Sequence, residues 1–257
     1  LCGMNGRYIE MDYQETQMYG DVMAMVKKQL NDFTLDVAIG GSINDRITNS
    51  TRIDSKNASL KYANVFNLAN IVMSSSASID QKIDAHYQLQ SVFATAQIGY
   101  KEGVFLDLTA RNDWSSTLAY TKYEKKGFFY PSVGVSFLPD KWVKMPEWVS
   151  FSKLRGAYSI VGNGVPPFIT YPVSYVTAGG EILASDAAPF AEMKPEMTHS
   201  VELGMEWKFL QHRLGLNLTY YRTDTYEQFF KLPALAGDKY AYRYVNAGDI
   251  RNQGWEI

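Results

Sequence analysis

Apolar and polar residues alternate along two pairs of neighbouring segments, and a period of two residues predicts β-strands. In the first pair, every second residue is apolar over 92–100 and again over 104–110. The three residues between them, 101–103, suit a tight turn. The second pair covers 201–209 and 214–221 and is joined by a similarly short turn. The pattern therefore predicts two β-hairpins.

Weaker alternation predicts four further strands, near 32–43, 129–138, 153–162 and 248–257. Together with the two hairpins this gives about eight strands. Only one short segment, 21–30, has the pattern of a helix. The sequence thus predicts an all-β chain.

The connections between the predicted strands differ in length at the two ends of the sheet. In an up-and-down meander, the short turns share one end; they are 101–103, 139–152 and 210–213. The long connections share the other end; they are 44–90, 114–128, 163–198 and 226–247. Outer-membrane barrels keep their periplasmic turns short and their extracellular loops long, whereas a soluble sandwich has no reason to sort its loops in this way.

Two architectures fit the alternation. In a soluble carbohydrate-binding β-sandwich the apolar faces would pack on a second sheet, whereas in a membrane barrel they would face lipid and the polar faces would line the lumen. About ten alternating residues exceed the usual five or six of a globular strand. Aromatic residues also lie near strand ends, where rings suit a membrane interface; they are Tyr100, Trp207, Phe209 and Tyr220. The pattern favours the barrel and leaves the sandwich open.

Composition narrows the function classes. The aromatic share of 14% favours β structure. A net charge of −2 provides no basic field for nucleic acid. The sequence contains no run of about 18 apolar residues that would form a transmembrane helix. Cys2 is the only cysteine, so an intrachain disulfide is impossible and a cysteine-based metal site is not expected.

Residue types that support catalysis are sparse. His86, His199 and His212 are scattered and lack the close spacing of a helical zinc pair, so we predict no metal site and no cofactor. Glu202 and Glu206 fall on one strand face and imitate the carboxylate pair of a glycosidase. Nothing nearby supplies a substrate cleft, so charge lining a lumen is the favoured interpretation and no enzyme is predicted.

Six segments in order carry a family resemblance. They are YKEGVFLDLTARNDWSSTL (100–118), FFYPSVGVSF (128–137), KLRGAYSIVGN (153–163), MKPEMTHSVELGMEW (193–207), LNLTYYRTDT (216–225) and VNAGDIRNQGWEI (245–257). LKYANVFNLANI at 60–71 also fits. These segments resemble successive barrel motifs of SusC/RagA-family TonB-dependent outer-membrane transporters.

The resemblance implies an antiparallel up-and-down meander forming part of a large transmembrane outer-membrane β-barrel, with residues 1–257 inside that barrel and its plug domain and final strands absent. It implies an importer of oligosaccharides or peptides that sits among outer-membrane lipid. A SusD-like surface lipoprotein would cover its mouth. TonB would act through the plug region.

The resemblance also suggests roles for particular side chains. The lumen-facing residues would be Asp107, Thr109, Arg111, Glu202, Glu206, Asn217 and Thr219. The segment RNDWSST would be the turn into an extracellular loop, with Arg111 and Asp113 satisfying loop backbone or each other. Aromatic residues predicted on the extracellular side are Trp114, Tyr120, Tyr123, Phe168, Tyr171 and Tyr175. Either these rings contact substrate or lid, or they pack the loops.

Overall fold

The computed structural model describes residues 3–72, 78–176 and 182–257, so Cys2 lies outside the described residues. The strands in chain order are β1 (Ile9–Leu30), β2 (Phe33–Asp54), β3 (Ser78–Tyr100), β4 (Val104–Ser115), β5 (Phe128–Phe137), β6 (Val149–Asn163), β7 (Tyr175–Val176), β8 (Ile182–Leu183), β9 (Glu196–Phe209), β10 (Leu214–Tyr226), β11 (Phe229–Pro233), β12 (Tyr242–Asn246) and β13 (Ile250–Glu256). None of the helices among the described residues is both long and apolar enough to cross a membrane.

Nine of these strands form one antiparallel sheet, in the order β1-β2-β3-β4-β5-β6-β9-β10-β13. The strands missing from this order, β7 with β8 and β11 with β12, form small hairpins within the connections. The principal sheet is therefore an up-and-down meander, and the predicted all-β antiparallel fold is confirmed.

The segment 21–30 is part of strand β1, so the predicted helix is wrong. Its residues pair with β2 from Asp21 opposite Ser42 to Leu30 opposite Phe33. Methionine, alanine and lysine favour helices as isolated residues. Here a two-residue turn at 31–32 places the segment beside β2, and pairing along its whole length outweighs that weak local preference.

Strands β2 and β3 extend much further than predicted. Each has more than twenty residues, and the connection expected at 44–90 shrinks to 55–77. Strand β4 also continues to Ser115, so the predicted RNDWSST turn is wrong for its first five residues. Beyond Ile43 only Ile47 and Ile53 are apolar among the residues of β2, which interrupts the alternation that marks a strand. The backbone ladder needs no apolar side chain to continue.

The register gives the sheet two chemically distinct faces. Leu108 lies opposite Ala96 on one side and Val133 on the other; we name the side of the sheet that carries these three residues the apolar face. Asp107 lies opposite Gln97 and Gly134, and we name its side the polar face.

The two ends of the sheet differ as predicted. Short turns at 31–32, 101–103, 138–148 and 210–213 share one end, here named the turn end. The connections 55–77, 116–127, 164–195 and 227–249 share the other, here named the loop end. Gly103 is required at the turn end because a Cβ there would lie 2.0 Å from Nε1 of Trp142.

Apart from Ala38 on β2, the buried apolar side chains of the described residues lie in the loops. Leu118, Val165 and Met193 form a buried cluster at the loop end, with Phe128 and Tyr244 among the rings packed against it. On the apolar face, by contrast, Leu203 is 55% exposed. Among the described residues no second large sheet covers that face. The sandwich, which requires such a sheet, is therefore not the architecture of this part of the chain.

Candidate functional site

All the side chains predicted to face a lumen lie on the polar face. They are Asp107, Thr109, Arg111, Glu202, Glu206, Asn217 and Thr219. On β4, Asp107 accepts a hydrogen bond from Gln97 Nε2 at 2.7 Å. Arg111 donates to Asp113 Oδ1 at 2.7 Å and to Ser91 Oγ at 2.6 Å. The predicted pairing of Arg111 with Asp113 is confirmed.

Arg155 connects three strands of the polar face. Its Nη2 donates to Thr219 Oγ1 on β10 at 2.8 Å and lies 3.3 Å from Glu202 Oε1 on β9. Gly204, directly opposite in the register, makes room for it, because a Cβ there would lie 2.4 Å from Arg155 Nε. Glu206 is paired separately, with Lys208 Nζ at 3.2 Å. Glu202 is thus paired with an opposite charge on a neighbouring strand, whereas Glu206 and Arg111 are paired within their own strands.

The geometry of Glu202 and Glu206 does not suit glycoside hydrolysis. Four residues along a strand separate their Cα atoms by about 13 Å, whereas catalytic carboxylates lie within roughly 5–9.5 Å of each other. Each carboxylate also has its own basic partner, Arg155 or Lys208. The pair is an element of the charge network.

Aromatic rings mark both limits of the apolar face. At the turn end, Phe33 contacts Tyr100 with ring centroids 4.7 Å apart, and Trp148 stacks on Phe209 at 5.7 Å. Towards the loop end, Tyr220 contacts Trp255 at 5.0 Å. The next positions on the same face are charged, with Arg222 and Arg251 both bonded to Asp224 at 2.8 and 2.5 Å. An apolar band bounded by rings and then by charge is the pattern of a membrane-facing barrel surface.

A cavity of about 360 Å³ opens at the loop end of the polar face; we name it the loop-end cavity. It is lined by Tyr87, Leu89, Asp113, Ser115, Thr117, Leu118, Phe128, Tyr130, Pro195 and the segment 162–167. The strand residues among these come from β3, β4, β5 and the end of β6, and the register places those of β3, β4 and β5 on the face of Asp107. This volume is at the lower end of the roughly 300–1,000 Å³ of ligand pockets.

The aromatic residues predicted to meet substrate or lid lie in several other places. Tyr120 and Tyr171 come together, with ring centroids 4.9 Å apart and both side chains exposed. Tyr123 packs on Phe128 at 6.3 Å. Trp114 lies opposite Gln90 on the apolar face.

Of the six predicted rings, the five whose side chains the structure describes do not line the loop-end cavity. Phe168 is partly buried, and Tyr175 lies in β7 with its side chain outside the described residues. The cavity's own rings, Tyr87, Phe128 and Tyr130, were not among the predicted contacts, although Tyr87 and Phe128 fall in predicted connections and only Tyr130 falls in a predicted strand. The signal that finds them is their position in the register, on the polar face and close to where β3, β4 and β5 meet the loops.

Asp54 anchors the far end of β2, eleven residues beyond Ile43 and well past the apolar band. Its carboxylate accepts hydrogen bonds from Arg7 Nε and Nη2 at 2.9 and 2.8 Å, from Arg52 Nη2 at 2.9 Å and from the backbone N–H of Lys56 at 2.8 Å. These bonds, that from Arg7 foremost, hold the pKa of the Asp54 carboxyl well below its usual range. The side chain is only 3% exposed, so the anchor is well protected from solvent.

A second charge pair ties two loops together. Lys194 Nζ donates to Glu227 Oε1 at 2.5 Å, and this hydrogen bond raises the pKa of the lysine. Asn246 reinforces the junction by donating from Nδ2 to the carbonyl oxygens of Lys194 and Glu227 at 3.0 and 2.7 Å. The connections 164–195 and 227–249 are therefore fixed to one another at the loop end.

Comparison with curated proteins and solved structures identifies several relatives. TonB-dependent receptor P3 of Formosa agariphila is 26% identical over 180 residues, which are 66% of this chain and 18% of that protein. The RagAB peptide transporter structure matches with a TM-score of 0.80 at 18% identity, covering 96% of this chain and 28% of that one. The siderophore receptor PirA of Acinetobacter baumannii matches with a TM-score of 0.60 at 11% identity, covering 95% and 34%.

These likenesses agree with the ordered motifs, the meander and the two chemically distinct faces. The chain spans less than two fifths of the length of each relative. The model of the family described as TonB dependent receptor-like, beta-barrel matches residues 5–257. The predicted kinship is therefore confirmed, and the chain belongs to the TonB-dependent receptor β-barrel family.

Proposed function

We propose that this chain is part of the wall of an outer-membrane importer that takes up oligosaccharides or peptides in a TonB-dependent manner. The observation that supports this most strongly is the pair of faces. An apolar face bounded by aromatic rings suits lipid, and a polar face with paired charges suits a water-filled or plugged lumen. The family consists of receptors and transporters rather than enzymes, and it implies an outer-membrane location.

In this proposal the loop end faces the outside of the cell and the turn end faces the periplasm. Long connections at one end and short turns at the other support this orientation. Residues 1–257 would then all belong to the barrel, and the plug would occupy the lumen beside the polar face. TonB would act on the plug.

A surface lipoprotein of the SusD type would cover the loop end. Tyr120 and Tyr171 supply an exposed aromatic surface there, and exposed rings in contact are suited to a protein interface. Trp114, Tyr123, Phe168 and Tyr175 are the further candidates for contact with lid or substrate.

The proposal is tested on the complete gene product, expressed together with a SusD-type lipoprotein from the same organism. We expect both proteins in outer membranes, copurifying in detergent, and uptake of glycans or peptides that stops in cells without TonB. A receptor that is soluble in plain buffer, or uptake that continues without TonB, would refute the proposal.

The lid contact has its own variants. Tyr120→Ala combined with Tyr171→Ala is expected to weaken copurification of the lipoprotein. Trp148→Ala, which removes a comparably exposed ring from the turn end, is the matched control and is expected to leave copurification unchanged. Equal retention of the lipoprotein by both variants would exclude the tyrosine pair from the interface.

A further inference from the structure

We propose that the loop-end cavity binds an apolar or aromatic side chain of an imported peptide, and that its walls select peptides over oligosaccharides. This inference rests on the proposed function, because it takes the polar face as the lining of the import path. The cavity lies on that face, close to the loops, where an incoming molecule arrives first.

The walls of the cavity are chiefly hydrocarbon. Apolar side chains line it from several directions; they are Leu89, Leu118, Phe128, Val165, Pro166, Pro167 and Pro195. Proline has no backbone N–H to offer a ligand. A sugar ring carries hydroxyl groups on almost every carbon, and hydroxyls enclosed by such walls would lose their hydrogen bonds to water without replacement. A phenyl or branched aliphatic side chain has no such groups to desolvate.

Polar side chains also line the cavity; they are Tyr87, Asp113, Ser115, Thr117, Tyr130 and Asn163. Ser115 and Thr117 hydrogen-bond to each other, Asn163 donates to Glu196, and Tyr87 interacts with Arg46. Tyr130 and Asp113 both line the cavity, and the hydroxyl of Tyr130 makes no hydrogen bond to any described residue. The Asp113 carboxylate is held by Arg111 at 2.7 Å, so its charge is already balanced and it remains able to accept a bond at its other oxygen. One free hydroxyl and one free acceptor match the single N–H and C=O of a peptide unit, whereas they are too few for a sugar ring.

Gly164 provides a way to fill the cavity without disturbing its walls. It lines the cavity, an added Cβ would meet no heavy atom within 4 Å, and its φ lies outside the left-handed region. Gly164→Phe would therefore place a ring in open space. Gly215 on β10 is a matched control: it also has no atom within 4 Å of an added Cβ and lies on the polar face opposite Lys208, but it is at the turn end.

The experiment uses the full-length receptor with its lipoprotein in detergent. The probes are a tryptic digest of casein and a ladder of dextrins from maltotriose to maltoheptaose. Retained molecules are eluted and identified by mass spectrometry. Thermal midpoints of wild type, Gly164→Phe and Gly215→Phe are compared to show that all three fold equally well.

We expect wild type and Gly215→Phe to retain peptides enriched in large apolar residues and no dextrins. Gly164→Phe is expected to retain at least tenfold less of these peptides than wild type, with an unchanged thermal midpoint. Unaltered retention by Gly164→Phe, or dextrin binding that this variant abolishes, would overturn the inference while leaving TonB-dependent import intact. A lowered midpoint with full peptide retention would also overturn it, because the cavity would then hold another part of the receptor.

Discussion

Replacing Leu108 by arginine would place a charge at the middle of the apolar face of β4. Four residues separate Leu108 from Val104, which lies between Tyr100 and Phe137 at the turn end. Four more separate it from Asn112, the first polar residue on this face. At about 3.4 Å per residue and a strand tilt of about 40°, each of these two four-residue segments of β4 spans roughly 10 Å along the membrane normal. The whole band is then about 21 Å tall, close to the roughly 25 Å of outer-membrane barrels.

The expected cost follows from this depth. An arginine at the bilayer midplane destabilises a barrel by about 2–4 kcal/mol, and one near the interface by about 0–1 kcal/mol. Leu108→Arg should therefore be costly and Asn112→Arg nearly neutral, although both lie on the same face. Thr109→Arg is the matched control, because its side chain is on the polar face between Thr95 and Ser132. Its cost should stay within about 0.5 kcal/mol.

Refolding of the full-length receptor into phospholipid vesicles across a urea series measures these costs. The folded fraction is followed by the altered gel mobility of unheated barrels. A cost of 2–4 kcal/mol corresponds to a roughly 30- to 1,000-fold change in the folding equilibrium. Equal costs at Leu108 and Thr109 would refute the assignment of faces. Equal costs at Leu108 and Asn112 would refute the assignment of the apolar face to a membrane, because only a bilayer makes the cost of an arginine depend on its depth.

Three further outcomes are expected. Because the pKa of Asp54 is depressed, its contribution to folding stability is present above about pH 4, its ordinary unfolded pKa, and is lost as the pH falls. Hydrogen exchange at the backbone N–H of Lys56, corrected for its intrinsic pH dependence, should therefore accelerate in acid. Asp54→Asn should make this exchange fast at neutral pH by removing about 1–3 kcal/mol of local stability. Gln211→Gly should raise the thermal midpoint by an amount equivalent to about 0.5–1 kcal/mol, because Gln211 has a φ of +58° that suits glycine; a lower midpoint would contradict this. Arg155→Met should lower the free energy of unfolding by at most about 1 kcal/mol, because the charge pairs of Arg155 are partly exposed and screened by solvent. A loss of stability as large as that of Leu108→Arg would contradict this expectation.

The parts of the fold that were predictable are those in which apolar and polar residues alternate regularly. The hairpins at 92–110 and 201–221 were found because apolar residues mark every second position on one face. The segment 21–30 misled because Met23 and Met25 lie on the polar face opposite Gly40 and Ala38, which hides the alternation. The residues predicted to face a lumen do share one face, since parity within a strand fixes the face once the strand is known.

The loop-end cavity was not predictable from the chain alone. Tyr87 is far in sequence from Phe128 and Tyr130, and only the register of β3, β4 and β5 brings the three rings to one place. The sequence pointed instead to Trp114, because a tryptophan after a strand suggests a loop contact. Since β4 continues to Ser115, parity places Trp114 on the other face. An error of five residues in a strand end thus changed which ring was assigned to the site.

The distribution of charge along the polar face bears on where selectivity would arise in the proposed importer. Below the cavity, Arg111 is paired with Asp113, Arg155 with Glu202 and Lys208 with Glu206. Paired charges present little net field to a passing molecule, whereas a single-signed lining would attract or exclude solutes by charge. Discrimination in this part of the wall would therefore depend on the shape and apolar chemistry of the loop-end cavity, and variants that alter the cavity should change which substrates bind more than variants that break any one charge pair.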